Sequence, residues 1–124
     1  MENPWIRSQQ PLVIAHRGNA VAAPENTLAA YHQAYEDGAE MIETDVNISK
    51  DGHLVIIHDS TLNRTTNLTG NVHDFTLAEL RSAEAGNQFG TNFKGERIPT
   101  IDEAFSLSDQ HQICLLYTSD AADE

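Results

Sequence analysis

The spacing of apolar positions changes several times along this chain, and each change marks an element. Leu12 to Ala15 is a continuous apolar run, as expected of a buried strand, and it stops abruptly at His16-Arg17-Gly18. Pro24 and Glu25 then lead into a helix that starts at Asn26 or Thr27. Leu28, Tyr31, His32, Tyr35 and Ala39 give that helix an apolar stripe, and Gly38 sits near its end. Met41 to Ile48 follows as a strand, with Glu43 and Asp45 on one face and Ile42 and Val46 on the other. Lys50-Asp51-Gly52 is a turn signal, and Leu54 to Ile57 is a further apolar strand.

Beyond Asp59 the chain is polar and turn-rich to Gly70. Thr76-Leu77-Ala78-Glu79 has the capping-box spacing and opens a helix expected to run to Gly86. A glycine-rich loop spans Asn87 to Arg97, and Thr100-Ile101-Asp102-Glu103 is a second capping box opening the last helix. The order strand, helix, strand, strand, helix, helix predicts an α/β fold of barrel type. A (β/α)₈ barrel needs roughly 250 residues, so the 124 residues here are expected to supply only its N-terminal part.

A formal net charge of -12 argues against a surface that grips nucleic acid or anionic lipid. A small phosphate ligand stays compatible with it, because one local cation outweighs the global field. The opening residues lack the shape of a signal peptide and no stretch is long enough for a membrane span, which predicts a cytoplasmic location. The single cysteine, Cys114, excludes an internal disulfide framework. Nothing in the sequence speaks to oligomeric state.

Chemistry concentrates in the first half. Glu43 and Asp45 share one strand face, where like charges repel unless a cation lies between them; Mg²⁺ or Ca²⁺ suits two carboxylates, and no Cys-His grouping points to zinc. A two- or four-residue turn after Ile48 would set Asp45 opposite His58, whereas a three-residue turn would send His58 to the other face. His16 and His58 are candidates for an acid–base pair, since imidazole titrates near neutrality. Arg17 offers a planar fork for phosphate oxygens, and Gly18 allows close backbone approach. These are the parts required to cleave a phosphodiester. His32, His53, His73 and His111 have no such company and are read as ordinary polar positions.

The motifs AHRG at 15–18, APENT at 23–27, IETD at 42–45, KDGHLVIIHD at 50–59, LNRTTNLTG at 62–70 and FKGERIPTIDEAF at 93–105 together resemble the cytoplasmic bacterial glycerophosphodiester phosphodiesterases. The resemblance implies a TIM (β/α)₈ barrel of the phospholipase C-like type, with a small insertion at about 59–97 covering the site and recognising the glycerol end. It implies hydrolysis of glycerophosphodiesters to glycerol 3-phosphate and an alcohol, with a neighbouring substrate hydroxyl attacking phosphorus first. His16 and His58 are then the catalytic acid–base pair, Arg17 the substrate contact, and Glu43 and Asp45 the ligands of Mg²⁺ or Ca²⁺. Asn26 is read mainly as a helix cap that fixes its loop.

The family's next strand carries Glu-x-Lys, which completes the metal site and contacts phosphate. Here CLLYTSDAADE follows instead, and it resembles the translation of a sequencing adapter. The expectation is that 1–113 is the N-terminal part of the enzyme domain, that 114–124 is a non-native tail, and that the chain alone is inactive. The competing readings are a genuine C-terminal strand, a non-catalytic metal- or phosphate-binding module, and a lysophospholipase D-like phosphodiesterase.

Overall fold

A computed structural model describes residues 12–119. Four strands form one sheet: β1 (Ile14–His16), β2 (Met41–Ile48), β3 (Leu54–Ile56) and β4 (Cys114–Thr118). Three helices accompany them: α1 (Leu28–Glu36), α2 (Leu77–Arg81) and α3 (Ile101–His111). β2 is the hub. It pairs in parallel with β1 and with β4, and antiparallel with β3. Arg17 N donates to Glu43 O at 2.8 Å and Ile57 N donates to Asp45 O at 3.0 Å. Carbonyls two residues apart in a strand point to the same edge. β1 therefore hands this edge of β2 over to β3, between Glu43 and Asp45.

Alternation along β2 builds a two-faced sheet. Ile42 and Val46 join Tyr31 and Ala34 of α1, Ala104 of α3, Ile56 and Ile113 in the main core. Glu43, Asp45 and Asn47 point away from those helices. β3 alternates too: Ile56 enters the main core, whereas Val55 and Ile57 pack with Leu62, Val72, Leu80, Ala83 and Ile98 in a second core. That second core is built from residues 59–98 folded over the outer side of β3, which explains why this strand is apolar on both faces.

Several expectations need correction. The first strand begins at Ile14 rather than Leu12 and is not buried: Val13 is 56% and Ile14 39% exposed. Among the described residues it has a partner on one side only, which leaves its outer edge and part of its face open. In α1, His32 and Tyr35 fall on the exposed side, and Ala30 and Ala34 join Tyr31 in the buried stripe. Asn26 does not cap this helix; Thr27 does, accepting from Ala30 N. The helix opened by Thr76 ends at Arg81, five residues short of Gly86. Ser82 Oγ donates back to Glu79 O at 2.6 Å, and Glu84 turns its carboxylate to the amides of Gly86, Asn87 and Gly95. Side-chain bonds of this kind compete with helix continuation. Both capping boxes form as read.

The turn after β2 also differs. Gly52 N donates to Ser49 O and Ser49 N to His53 O, which closes a three-residue loop, Lys50-Asp51-Gly52. Gly52 takes φ +86°, the left-handed residue that follows a type I turn in such hairpins. The register becomes Val46 opposite Ile56 and Ile48 opposite Leu54. Asp45 thus faces Ile57 rather than His58. Residues 114–118 form β4, which sets Leu116 beside Glu43 and Thr118 beside Asp45. The signal-peptide reading concerns residues outside those described. Among the described residues no helix is long and apolar enough to cross a membrane.

Candidate active site

The end of β1 is shaped by three residues in the left-handed region: Arg17 (φ 58°), Gly18 (φ 81°) and Asn26 (φ 55°). Asn26 N donates to Arg17 O, which ties the two turns together. Gly18 packs against α1 so closely that a Cβ would lie 2.7 Å from the Ala30 carbonyl carbon. Such strained backbone persists only where its surroundings hold it, and it gathers at functional sites.

The same turn aims the polar side chains at β2. His16 is the register partner of Glu43, and its Nε2 lies 3.3 Å from Glu43 Oε2. Arg17 Nε lies 3.4 Å from Asp45 Oδ2, and its Nη1 donates to Glu25 Oε2 at 3.1 Å. Asn26 Nδ2 donates to Asp45 Oδ2 at 3.1 Å, while its Oδ1 accepts from the Tyr31 and Thr44 hydroxyls. Tyr31 and Thr44 also bond each other, deep under the site. Burial keeps the Tyr31 phenol protonated far above its ordinary range. Asn26 is therefore a loop-fixing residue, as read, but it fixes Asp45 rather than the helix.

His58 reaches this region by another route. Asn47, two residues past Asp45 on the same face of β2, donates from Nδ2 to Ile57 O at 2.8 Å. That bond holds the chain as it leaves β3. The His58 ring meets Asp59, with Nδ1 2.7 Å from Oδ1. Arg64 grips Asp59 through Nε at 2.8 Å and Glu25 through Nη1 at 2.6 Å. The ion pairs thus run unbroken from Asp45 through Arg17, Glu25 and Arg64 to Asp59, which in turn bonds the His58 ring. That array starts at Asp45, two residues along β2 from the separate His16–Glu43 contact, so each histidine stands beside its own carboxylate. Glu25, Asn26 and His58 line one small cavity.

Electrostatics separates the carboxylates into two classes. Glu43 is pushed up from the ordinary glutamate range, first by burial and then by the charge of Asp45. Its Oε2 is buried without a hydrogen bond, and so is Arg17 Nε. Burial also acts to raise Glu25, but hydrogen bonds and charge from Arg64, then Arg17, outweigh it and hold that carboxyl low. Asp59 is drawn down to about 2, chiefly by its hydrogen bonds from Arg64. Glu43 and Asp45 fit a hard cation: an orphaned buried oxygen beside a second carboxylate is what such an ion satisfies. Among the described residues, no three His, Cys, Asp or Glu side chains already form a cage. Leu116 and Thr118 occupy the neighbouring positions on β4, and no Glu-x-Lys pair occurs on that strand.

The sequence reading missed Asn47, Asp59 and Arg64 as members of this array. The adjacent HD at 58–59 was the available signal; the Arg64–Glu25 link, 39 residues apart, had none. His32 and His111 lie elsewhere, edge to face with each other, and His111 also packs against Tyr35.

Comparison with known proteins identifies a family. The family model described as the glycerophosphoryl diester phosphodiesterase family matches residues 16–119. A glycerophosphodiester phosphodiesterase of Caldanaerobacter subterraneus subsp. tengcongensis is 58% identical over 96 residues, which is 77% of this chain and 40% of the relative. Glycerophosphodiester phosphodiesterase 1 of Homo sapiens is 40% identical over 106 residues, 84% of this chain and 32% of the relative. The solved structure of an Oleispira antarctica phosphodiesterase, in complex with the product sn-glycerol-3-phosphate, superposes with a TM-score of 0.86 at 43% identity; the match covers 89% of this chain and 44% of that one. The chain thus spans about 40% of the length of these bacterial relatives. On the strength of that matched span and of these identities, the chain belongs to the glycerophosphoryl diester phosphodiesterase family.

Proposed function

We propose that this chain carries the acid–base and cation-binding part of a glycerophosphodiester phosphodiesterase site, on strands that belong to a (β/α)₈ barrel of the phospholipase C-like type. The reaction is hydrolysis of a glycerophosphodiester to glycerol 3-phosphate and an alcohol. The observation that carries this reading is the charged array that begins beside His16 and Glu43 and ends at His58. The product bound in the Oleispira antarctica relative supports the substrate class.

In this reading one histidine takes the proton of the attacking hydroxyl, and the other returns a proton to the leaving oxygen. Arg17 presents guanidinium N–H groups to a phosphoryl oxygen while Glu25 and Asp45 fix its plane. Glu43 and Asp45 would hold Mg²⁺ or Ca²⁺, and such an ion would supply neutralisation of the charge that grows on phosphoryl oxygens. Arg64, Pro24, Gln88 and Phe89 wall a cavity of about 200 Å³ beside Glu25, which gives the substrate's small polar end room under the 59–97 insertion.

The test is a chimera in which residues 12–113 replace the matching segment of the Caldanaerobacter relative, assayed for glycerol 3-phosphate release from glycerophosphocholine with Mg²⁺ or Ca²⁺. Loss of either histidine removes a general acid or base, so His16→Ala and His58→Ala are each expected to slow turnover about 10²- to 10⁴-fold. A chimera whose turnover survives both substitutions would refute the assignment. The 124-residue chain itself, with Leu116 and Thr118 beside the acidic pair, is expected to show no turnover.

A further inference from the structure

Arg64 makes four short hydrogen bonds to two carboxylates that belong to separate segments. Nε and Nη2 donate to Asp59 Oδ2 and Oδ1 at 2.8 and 3.0 Å; Nη1 and Nη2 donate to Glu25 Oε1 and Oε2 at 2.6 and 3.0 Å. A planar fork held at both ends leaves Asp59 little freedom to rotate. The same Oδ1 that accepts from Arg64 lies 2.7 Å from His58 Nδ1.

We infer that Arg64 is a positioning residue that acts through Asp59 to fix the His58 ring as the Nδ1–H tautomer, leaving Nε2 free to face substrate. An ionised carboxylate can only accept, so the proton of this contact must reside on Nδ1. Asp59 stays ionised because Arg64 and His58 draw its carboxyl down to about 2. The groups facing His58 through this contact are Asp59 and, behind it, Arg64 and Glu25. Orientation of a catalytic imidazole by a buttressed carboxylate follows the logic of a triad, with the guanidinium as the outer support. Arg64 sits at the start of the 59–97 insertion and Glu25 in the first strand-to-helix loop. The same fork therefore makes the geometry of His58 depend on the docking of these two loops.

The inference rests on His58 being one of the acid–base residues proposed above, so its test avoids turnover. Long-range ¹H–¹⁵N spectra of the 124-residue chain, recorded above the histidine titration range, show which ring nitrogen carries the proton. His58 is expected as Nδ1–H in the unsubstituted chain, with both Asp59→Ala and Arg64→Ala shifting population to Nε2–H. Arg64→Ala is also expected to raise the carboxyl ¹³C midpoint of Asp59 by about one unit or more, toward the ordinary value near 3.9. An Nε2–H tautomer in the unsubstituted chain overturns the inference without any variant, and so does a tautomer unmoved by Arg64→Ala. Turnover that survives His58→Ala in the chimera removes the catalytic reading while leaving the tautomer result in force.

Discussion

Asn26 shows how one residue can serve both the fold and the site. Its side chain satisfies Tyr31, Thr44 and Asp45 at once, and its backbone sits at φ 55°. Replacement by alanine strands buried hydroxyls, at about 1–3 kcal/mol, and keeps a Cβ in the left-handed region without the local polar bonding that lets asparagine tolerate it, at up to about 1–2 kcal/mol more. Asn26→Gly removes the second cost only. Urea unfolding is expected to rank the unsubstituted chain as most stable, Asn26→Gly next and Asn26→Ala last; equal losses for the two substitutions would deny the backbone term. Asp59 supplies the pH dependence. Its carboxyl lies lower in the folded chain than in the unfolded one, so its contribution is complete above the ordinary aspartate range near 3.9. That contribution fades as pH falls toward the folded value of about 2. Arg64→Ala is expected to flatten the stability profile over this window, as read from Tm against pH. Short-range signals made many of these residues legible. A strand ending in His16-Arg17-Gly18 and an i, i+2 acidic pair identify themselves through alternation alone. Asp59 and Arg64 do not, because their partners are set by how distant loops dock.

At the scale of elements, local capping was readable and register was not. Thr76 and Thr100 each accept from a glutamate amide three residues on, as their spacing dictates. Thr100→Ala is expected to lower stability by about 1 kcal/mol. The hairpin after β2 was less transparent. Lys50-Asp51-Gly52 is compatible with loops of two, three or four residues, and Ser49, which bonds both Asp51 and His53, decides among them. A shift of one register position moved His58 away from Asp45, and Asn47 instead clamps the backbone at the strand exit through the Ile57 carbonyl. Glycines test the difference between strain and space. At Gly52 an added methyl would meet nothing within 4 Å, so Gly52→Ala is expected to cost only the left-handed penalty of about 1–2 kcal/mol. Gly18→Ala adds overlap with the Ala30 backbone and is expected to cost clearly more, measured by chemical denaturation of the pair.

For the molecule as a whole, the barrel reading is carried by strand order and by relatives, while the sheet itself remains open at both sides. The far edge of β1 and the far edge of β4 lie unpaired within the sheet of the described residues. Val13, Ile14, Phe105 and Tyr117 are exposed near them. Open edges with apolar neighbours recruit further strands. The chain is therefore expected to self-associate with rising concentration, and Ile14→Lys to reduce this, as followed by sedimentation velocity. A monomer at all concentrations would contradict it. An excess of twelve negative charges opposes association only weakly once salt screens it.

The shared edge of β2 has a temporal consequence. Because β1 and β3 abut along one side of the same strand, while β4 lies along the other, the segment from Glu43 to Asp45 is covered along both edges, and loss of any one pairing leaves the others in place. The amides of that segment should be the last to exchange with deuterium, and the acidic pair should be the last part of the molecule to lose its shape as the rest breathes.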